Sequence, residues 1–273
     1  MKPPIIVVAP SRRCGTTLLQ RALNSTGAAI IYGENFIFLE SLPGFLASTR
    51  ENWDVKVRNT STARDRLLAG DYDFDASMLF PDYGAYARAM RENVDRLYRY
   101  YEDAALGFGY DVWGIKSQIR RLSGFVEFMR LYPKAKYIFV YRNVVEAARS
   151  EKARFGHEYK TPASWAGFAQ TWSQNVVAMR ARQGANFLHL EYAEMTADPP
   201  ALIARLQSFC GVEGIDPAVF ARKVNVTPVL DRLNEDEKTS SYRPPAGLTE
   251  PEQKALLARA AETCRRFGYA VPA

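Results

Sequence analysis

Histidine is nearly absent from this chain. Only His157 and His189 occur in 273 residues. Imidazole is the usual proton carrier near neutral pH and a common metal ligand, so a site built on clustered histidines is excluded. Cysteine is scarce too. Cys14, Cys210 and Cys264 have neither the spacing of a zinc site nor the number needed for a disulfide framework. A reduced, cytoplasmic protein is the expectation. No apolar run approaches the roughly 18 residues that a membrane span requires. The apolar run at residues 5–9 is too short for the core of a secretion signal and has no cleavage pattern after it. Repeats and low-complexity tracts are missing, which excludes solenoids and linker arrays. Neither sign of charge dominates. The 36 Lys and Arg against 30 Asp and Glu leave a net charge of +6. That excess is too small for a nucleic-acid footprint and suits a protein that binds anions.

Ordinary apolar content (47%) allows one sizeable core. Ile5, Ile6, Val7, Val8 and Ala9 form an all-apolar, mostly β-branched run, which predicts a buried parallel strand. A break at 10–15 precedes a helix with Leu18, Leu19, Ala22 and Leu23 on one face, stopped by Gly27. Further strands are expected at 28–31, 112–115, 137–141 and 187–190. Helices are expected at 122–131, 146–155, 164–182 and 201–210, the last ending at Gly211. Thr249 and Glu252 form a capping box for a final helix. Residues 41–108 lack the alternation and read as a helical insertion, a candidate cover for a substrate. Residues 225–247 read as a long loop of functional type. The fold class is therefore α/β: a three-layer sandwich with a central parallel sheet, a P-loop-like strand-loop-helix and a helical insertion, all in one domain spanning 1–273.

The turn after the first strand carries Arg12, Arg13, Cys14, Gly15, Thr16 and Thr17. A strand, a tight turn and a helix N-terminus converge backbone N–H groups on an anion. Gly15 permits close approach, Thr16 and Thr17 add hydroxyls, and Arg12 or Arg13 adds a fork for oxyanions. A nucleotide kinase would place Lys directly after the glycine. Thr16 stands there instead, which disfavours a machine for γ-phosphate and magnesium.

At these residues the chain resembles the sulfotransferases that use 3′-phosphoadenosine 5′-phosphosulfate (PAPS). Arg13 to Leu19 look like their 5′-phosphosulfate loop, with Cys14 in place of the usual serine. The family binds the donor's 3′-phosphate with an arginine at a strand end and a serine eight residues later. Arg142 and Ser150 have that spacing, and Arg154 follows four residues on. A helix starting at residue 143 would carry Ser150 about 10 Å up its axis, so 143–145 is expected to be a turn and the helix to begin near Glu146.

The resemblance implies PAPS as donor, adenosine 3′,5′-bisphosphate as product, no metal, and direct in-line transfer to a hydroxyl acceptor. That acceptor is a carbohydrate, a natural-product hydroxyl or phenol, or a peptide tyrosine. Glu34 is the candidate base, because its distance from Arg13 and its preceding glycine resemble tyrosylprotein sulfotransferases. His157 is the alternative base, and His189 reads as structural. Lys116, after the strand at 112–115, resembles the family's lysine near the reaction centre, with Ser117 beside it. Tyr192 lies in a segment similar to the family's late strand and faces either the donor or the core. Trp165 and Trp172 read as core. Lys238, with Ser240, Ser241 and Arg243, is a candidate donor contact in the late loop. A small-molecule kinase and a catalytically silent nucleotide- or anion-binding module are the competing readings; a silent module needs neither Glu34 nor Lys116.

Overall fold

Five consecutive aliphatic residues have no polar face to offer solvent, so β1 (Ile5–Ala9) belongs at the centre of a sheet. The computed structural model describes residues 2–34, 41–51, 53–73, 82–221 and 245–271, and every residue of β1 is 0% exposed. The chain divides into two compact units. One comprises residues 1–34, 105–120 and 134–273, and the other 35–104 and 121–133.

The first unit holds a five-stranded, all-parallel sheet. Beside β1 run β2 (Ala29–Tyr32), β3 (Val112–Gln118), β4 (Lys136–Tyr141) and β5 (Phe187–Glu191), in the order β2-β3-β1-β4-β5. Val7 lies opposite Lys116 on one side and Ile138 on the other. The β1–β3 register brings the start of the loop after β1 level with the end of β3. β3 runs three residues past its expected end, so Lys116 lies within the strand rather than after it.

Strand alternation sends Ile5 and Val7 to one face with Ile31, Val112, Ile138, Val140 and Leu190. Leu19 and Leu23 of α1 (Thr16–Asn24) cover that face together with Leu202 and Leu206 of α9 (Pro199–Cys210). Between β5 and α9 lies the short α8 (Tyr192–Ala197). Ile6 and Val8 point the other way and are equally buried, so the opposite face is covered too. There α7 (Pro162–Arg180) lies along the last helix, α11 (Glu250–Arg266). Asn175 of α7 donates to the carbonyls of Pro10 (2.9 Å) and Ile119 (2.8 Å), tying this layer to the ends of β1 and β3. Trp165 and Trp172 are fully buried, as expected. A short α10 (Ala218–Ala221) follows α9, the Thr249–Glu252 capping box opens α11, and Gly27 (φ 67°) and Gly211 (φ 66°) take the left-handed conformation expected of helix stops.

The second unit is helical. It contains α2 (Leu42–Glu51), α3 (Trp53–Leu68), α5 (Leu122–Leu131) and most of α4 (Tyr83–Gly107). Tyr98 packs edge-on against Phe128 and Tyr132, and Arg50 bonds the buried Glu127 at 2.8 Å.

Gly114 shows how tightly the sheet is set. A Cβ there would overlap the carbonyl oxygen of Ile5 and the Ile31 side chain, and backbone cannot yield as a flexible side chain would. Gly114→Ala is expected to cost about 3 kcal/mol, the upper end of ordinary overpacking, read as a fall in Cm at unchanged m in urea unfolding.

Candidate active site

The loop from β1 to α1 is built on two left-handed residues. Gly15 has φ 100° and is the N-cap of α1. A Cβ on it would lie 2.6 Å from Cδ2 of Tyr192, so both conformation and space require glycine here. Arg13 has φ 68°, the one positive φ outside glycine among the described residues. An unbranched residue pays for that conformation, and the result is a loop that turns the Arg13 side chain away from α1.

Arg13 reaches the helix that follows β4. Its Nε donates to Ser150 Oγ at 3.2 Å. Arg142, at the end of β4, donates from Nη1 to the Arg13 carbonyl at 3.0 Å and lies 4.4 Å from the centre of the Tyr192 ring. Three elements therefore meet at Arg13: the loop, the end of β4 and α6 (Val144–Phe155). This corrects the expected helix start near Glu146. Asn143 caps α6, accepting from the Val145 amide at 2.8 Å, so the helix begins two residues earlier. Ser150 is indeed carried up the helix, and Arg13 spans the gap from the loop.

Arg142 pairs with Glu146 at 3.3 Å, and Arg13 sits among mixed charge. Burial lowers its pKa, and the like charge of Arg154 lowers it further. Glu151 opposes this, while Arg142 adds to the lowering. A half-buried group of three arginines favours an anion in their midst.

Arg12 takes a different direction from Arg13. Its Nη2 pairs with Glu151 Oε1 at 2.6 Å and Glu158 Oε2 at 2.7 Å, and its guanidinium sits 4.5 Å from the Phe155 ring centre. It anchors the loop to α6 and to the turn Gly156–Glu158. Glu151, fully buried, also accepts from the Tyr159 hydroxyl at 3.1 Å. Burial pushes its carboxyl pKa up, against the pull of Arg12. Sequence reasoning passed over Glu151. The available signal was charge balance: two adjacent arginines need a counter-ion besides any ligand.

On the far side of the loop, Lys116 Nζ lies 2.9 Å from Glu34 Oε1 and 3.3 Å from Thr17 Oγ1. Strand order explains the meeting. β3 lies between β2, which Glu34 follows, and β1, which leads into Thr17. Lys116 is only 8% exposed, so its ammonium is held rather than waving in solvent. Ser117 points to the other face and donates to the Gln118 carbonyl at 3.2 Å. Beside the loop a cleft of about 460 Å³ is lined in part by Arg12, Gln118, Arg120, Tyr159 and Phe168.

Tyr192 packs its ring between Gly15 and Arg142. His189 is structural, with Nδ1 2.8 Å from the Tyr141 hydroxyl and Nε2 2.9 Å from the Arg182 carbonyl. His157 lies exposed in the turn after α6. Lys238, Ser240, Ser241 and Arg243, with most of the expected loop at 225–247, lie outside the described residues. Among the described residues, no group of three or more His, Cys, Asp or Glu could hold a metal ion, and no helix is long and apolar enough to cross a membrane.

A family model described as "Sulfotransferase family" matches residues 3–217. The chain belongs to the sulfotransferase family. No curated protein matches it. Among solved structures, this sulfotransferase is similar to the sulfotransferase domain of the olefin synthase from Synechococcus PCC 7002, at 16% identity and TM-score 0.51, covering 100% of this chain and 98% of that one. It is also similar to the sulfotransferase domain from the curacin biosynthetic pathway, at 13% identity and TM-score 0.52, covering 99% of each. At such identities the likeness establishes the α/β fold, and the family assignment makes the chain a transferase.

Cys14, the substituted loop position, turns inward. It is 1% exposed, its Sγ lies 3.6 Å from Ser11 Oγ, and burial pushes its pKa up to about 11. The folded protein therefore favours the thiol, and the thiolate becomes the main form only above that pH. Cys210 is pushed up to about 12 by burial. Native protein at pH 8 is expected to resist iodoacetamide at both positions, with rapid labelling once unfolded, as followed by peptide mass spectrometry. Fast native labelling of Cys14 would contradict an inward, inert thiol.

Proposed function

We propose that this sulfotransferase moves a sulfuryl group from PAPS to a hydroxyl acceptor, with Glu34 as base and Lys116 as the cation at the reacting centre. The observation that carries the reading is the contact of Lys116 with both Glu34 and Thr17, next to the arginine group around Arg13. Two cationic regions on one loop suit a donor with two separated anionic ends. Arg142, Arg154 and Ser150 would hold the 3′-phosphate, joined by Arg13, which the family resemblance implies for the 5′ end but whose side chain donates to Ser150 instead. Gly15, Thr16, Thr17 and the backbone of Cys14 would hold the 5′ end at the start of α1. Burial, and then the like charges of Arg154 and Arg142 set against Glu151, lower the Arg13 pKa, and an anion placed there would offset both effects.

The bound donor supplies a sulfuryl group activated by its bond to a phosphate leaving group. Glu34 takes the proton of the acceptor hydroxyl as that oxygen bonds to sulfur. The bond from sulfur to the bridging phosphate oxygen breaks, and the leaving oxygen carries away the electron pair. Lys116 supplies positive charge for that oxygen, with the Thr17 hydroxyl beside it. The hydroxyl acceptor is a carbohydrate, a natural-product hydroxyl or phenol, or a peptide tyrosine. Three free cysteines support a reducing, cytoplasmic setting.

One feature favours a second reading, a small-molecule kinase. The lysine missing from the loop sequence is present in space, since Lys116 reaches Thr17 from β3. Thermal shift separates the two. Adenosine 3′,5′-bisphosphate is expected to stabilise the protein without magnesium, and ATP with magnesium to do little. The reverse result would sink the sulfotransfer reading. Glu34→Gln is expected to cut transfer at least about a hundredfold while bisphosphate affinity stays within about threefold. Substantial residual turnover would move the base elsewhere, with His157 next to be tested.

A further inference from the structure

Behind Arg142 lies a polar network that the reaction does not use. Glu191 ends β5 and directly precedes Tyr192. It pairs with Arg180 of α7 and accepts from the hydroxyl of Tyr269 through both carboxylate oxygens, at 2.9 and 3.0 Å. Arg180 also lies 3.9 Å from the centre of the Tyr141 ring, on the residue before Arg142. Tyr269 packs its ring 5.7 Å from that of Trp172, whose Nε1 donates to the Arg142 carbonyl at 3.2 Å. The next residue, Ala270, accepts from Asn143 Nδ2 at 2.9 Å. Asn143 is also the N-cap of α6 and accepts from Val145 through Oδ1, so its amide is held from both ends.

These contacts converge. The segment at 269–270 follows α11, at the far end of the chain from the loop. It grips the strand end before Tyr192 through Glu191 and the residue after Arg142 through Asn143. The Tyr192 ring carries the Arg142 guanidinium and abuts Gly15. Arginine has many rotamers, and fixing one for anion binding costs entropy unless the protein has already fixed it.

We infer that Tyr269 and Asn143 are positioning residues, which hold Arg142 and the start of α6 in the geometry that receives the donor's 3′-phosphate. This rests on the PAPS reading above, because only a 3′-phosphorylated donor would feel the difference. The segment touches no reacting atom. Its effect should fall on donor affinity and spare the chemical step.

The experiment uses the full chain, with Tyr269→Phe and Asn143→Ser. Phenylalanine keeps the ring against Trp172 and removes only the hydroxyl. Serine remains a good N-cap but is too short for the bond to Ala270. Calorimetry would compare adenosine 3′,5′-bisphosphate with adenosine 5′-monophosphate for each protein, alongside steady-state kinetics with PAPS. Each variant is expected to lose about five- to tenfold in bisphosphate affinity, the scale of one hydrogen bond to a charged or buried group. Monophosphate affinity and kcat at saturating donor should stay within about twofold. Wild-type protein that does not distinguish the two nucleotides would overturn the reading of the 3′-phosphate site. Wild-type protein that does distinguish them, with variants that keep the same ratio, would overturn the positioning role alone. An equal loss for both nucleotides would make the segment merely structural. Since each substitution removes a different bond, a misfolded variant leaves the other to decide.

Discussion

The bond from Arg13 to Ser150 joins parts of the chain 137 residues apart, and the site depends on it. A left-handed Arg13 lets one short loop face two ways. Its glycine and threonines open α1, while its arginine crosses to α6. The cost of that backbone conformation is offset by the contacts around it. Arg142 holds the Arg13 carbonyl, Arg12 is pinned by Glu151 and Glu158, and the Tyr192 ring fills the space that Gly15 leaves. Adjacent arginines have thus been given opposite tasks, one as an anchor among carboxylates and one among like charges.

The lysine absent from the loop sequence is replaced through topology. Because β3 pairs with β1, Lys116 arrives at Thr17 from the neighbouring strand, and because β2 pairs with β3, Glu34 arrives at Lys116. A parallel sheet gathers its strand ends on one edge, so residues 17, 34 and 116 meet without any local motif linking them. The proposed chemistry asks for a base and a cation at one point, and the ion pair brings such groups together.

Much of this was legible before any coordinates. The β-branched run marked β1, helix α5 falls at its expected residues 122–131, and the turn residues marked the loop between β1 and α1. These are local signals. Pairings between distant segments were less accessible. The start of α6 precedes its expected place near Glu146 because Asn143, a strong N-cap, opens the helix, and Arg142 and Ser150 need not meet directly when Arg13 bonds to both. Arg12 and Arg13 are neighbours of the same type, and their distant partners distinguish them: Glu151 and Glu158 pair with Arg12, and Ser150 accepts from Arg13. β3 extends past its expected end at 115 through Lys116 and Ser117, polar residues that are buried in place. Glu34 and Lys116 were each picked out singly, and their 2.9 Å contact depends on strand order.

The most direct measurement is calorimetric titration of adenosine 3′,5′-bisphosphate into Arg13→Ala beside wild-type protein. A guanidinium serving the 3′-phosphate should be worth roughly 1.5–3 kcal/mol as a charged hydrogen bond, a loss of about ten- to a hundredfold in affinity. The same substitution should change adenosine 5′-monophosphate binding much less. Bisphosphate affinity within twofold of wild type, in a variant that still unfolds cooperatively, would contradict the placing of Arg13 at the second anion site.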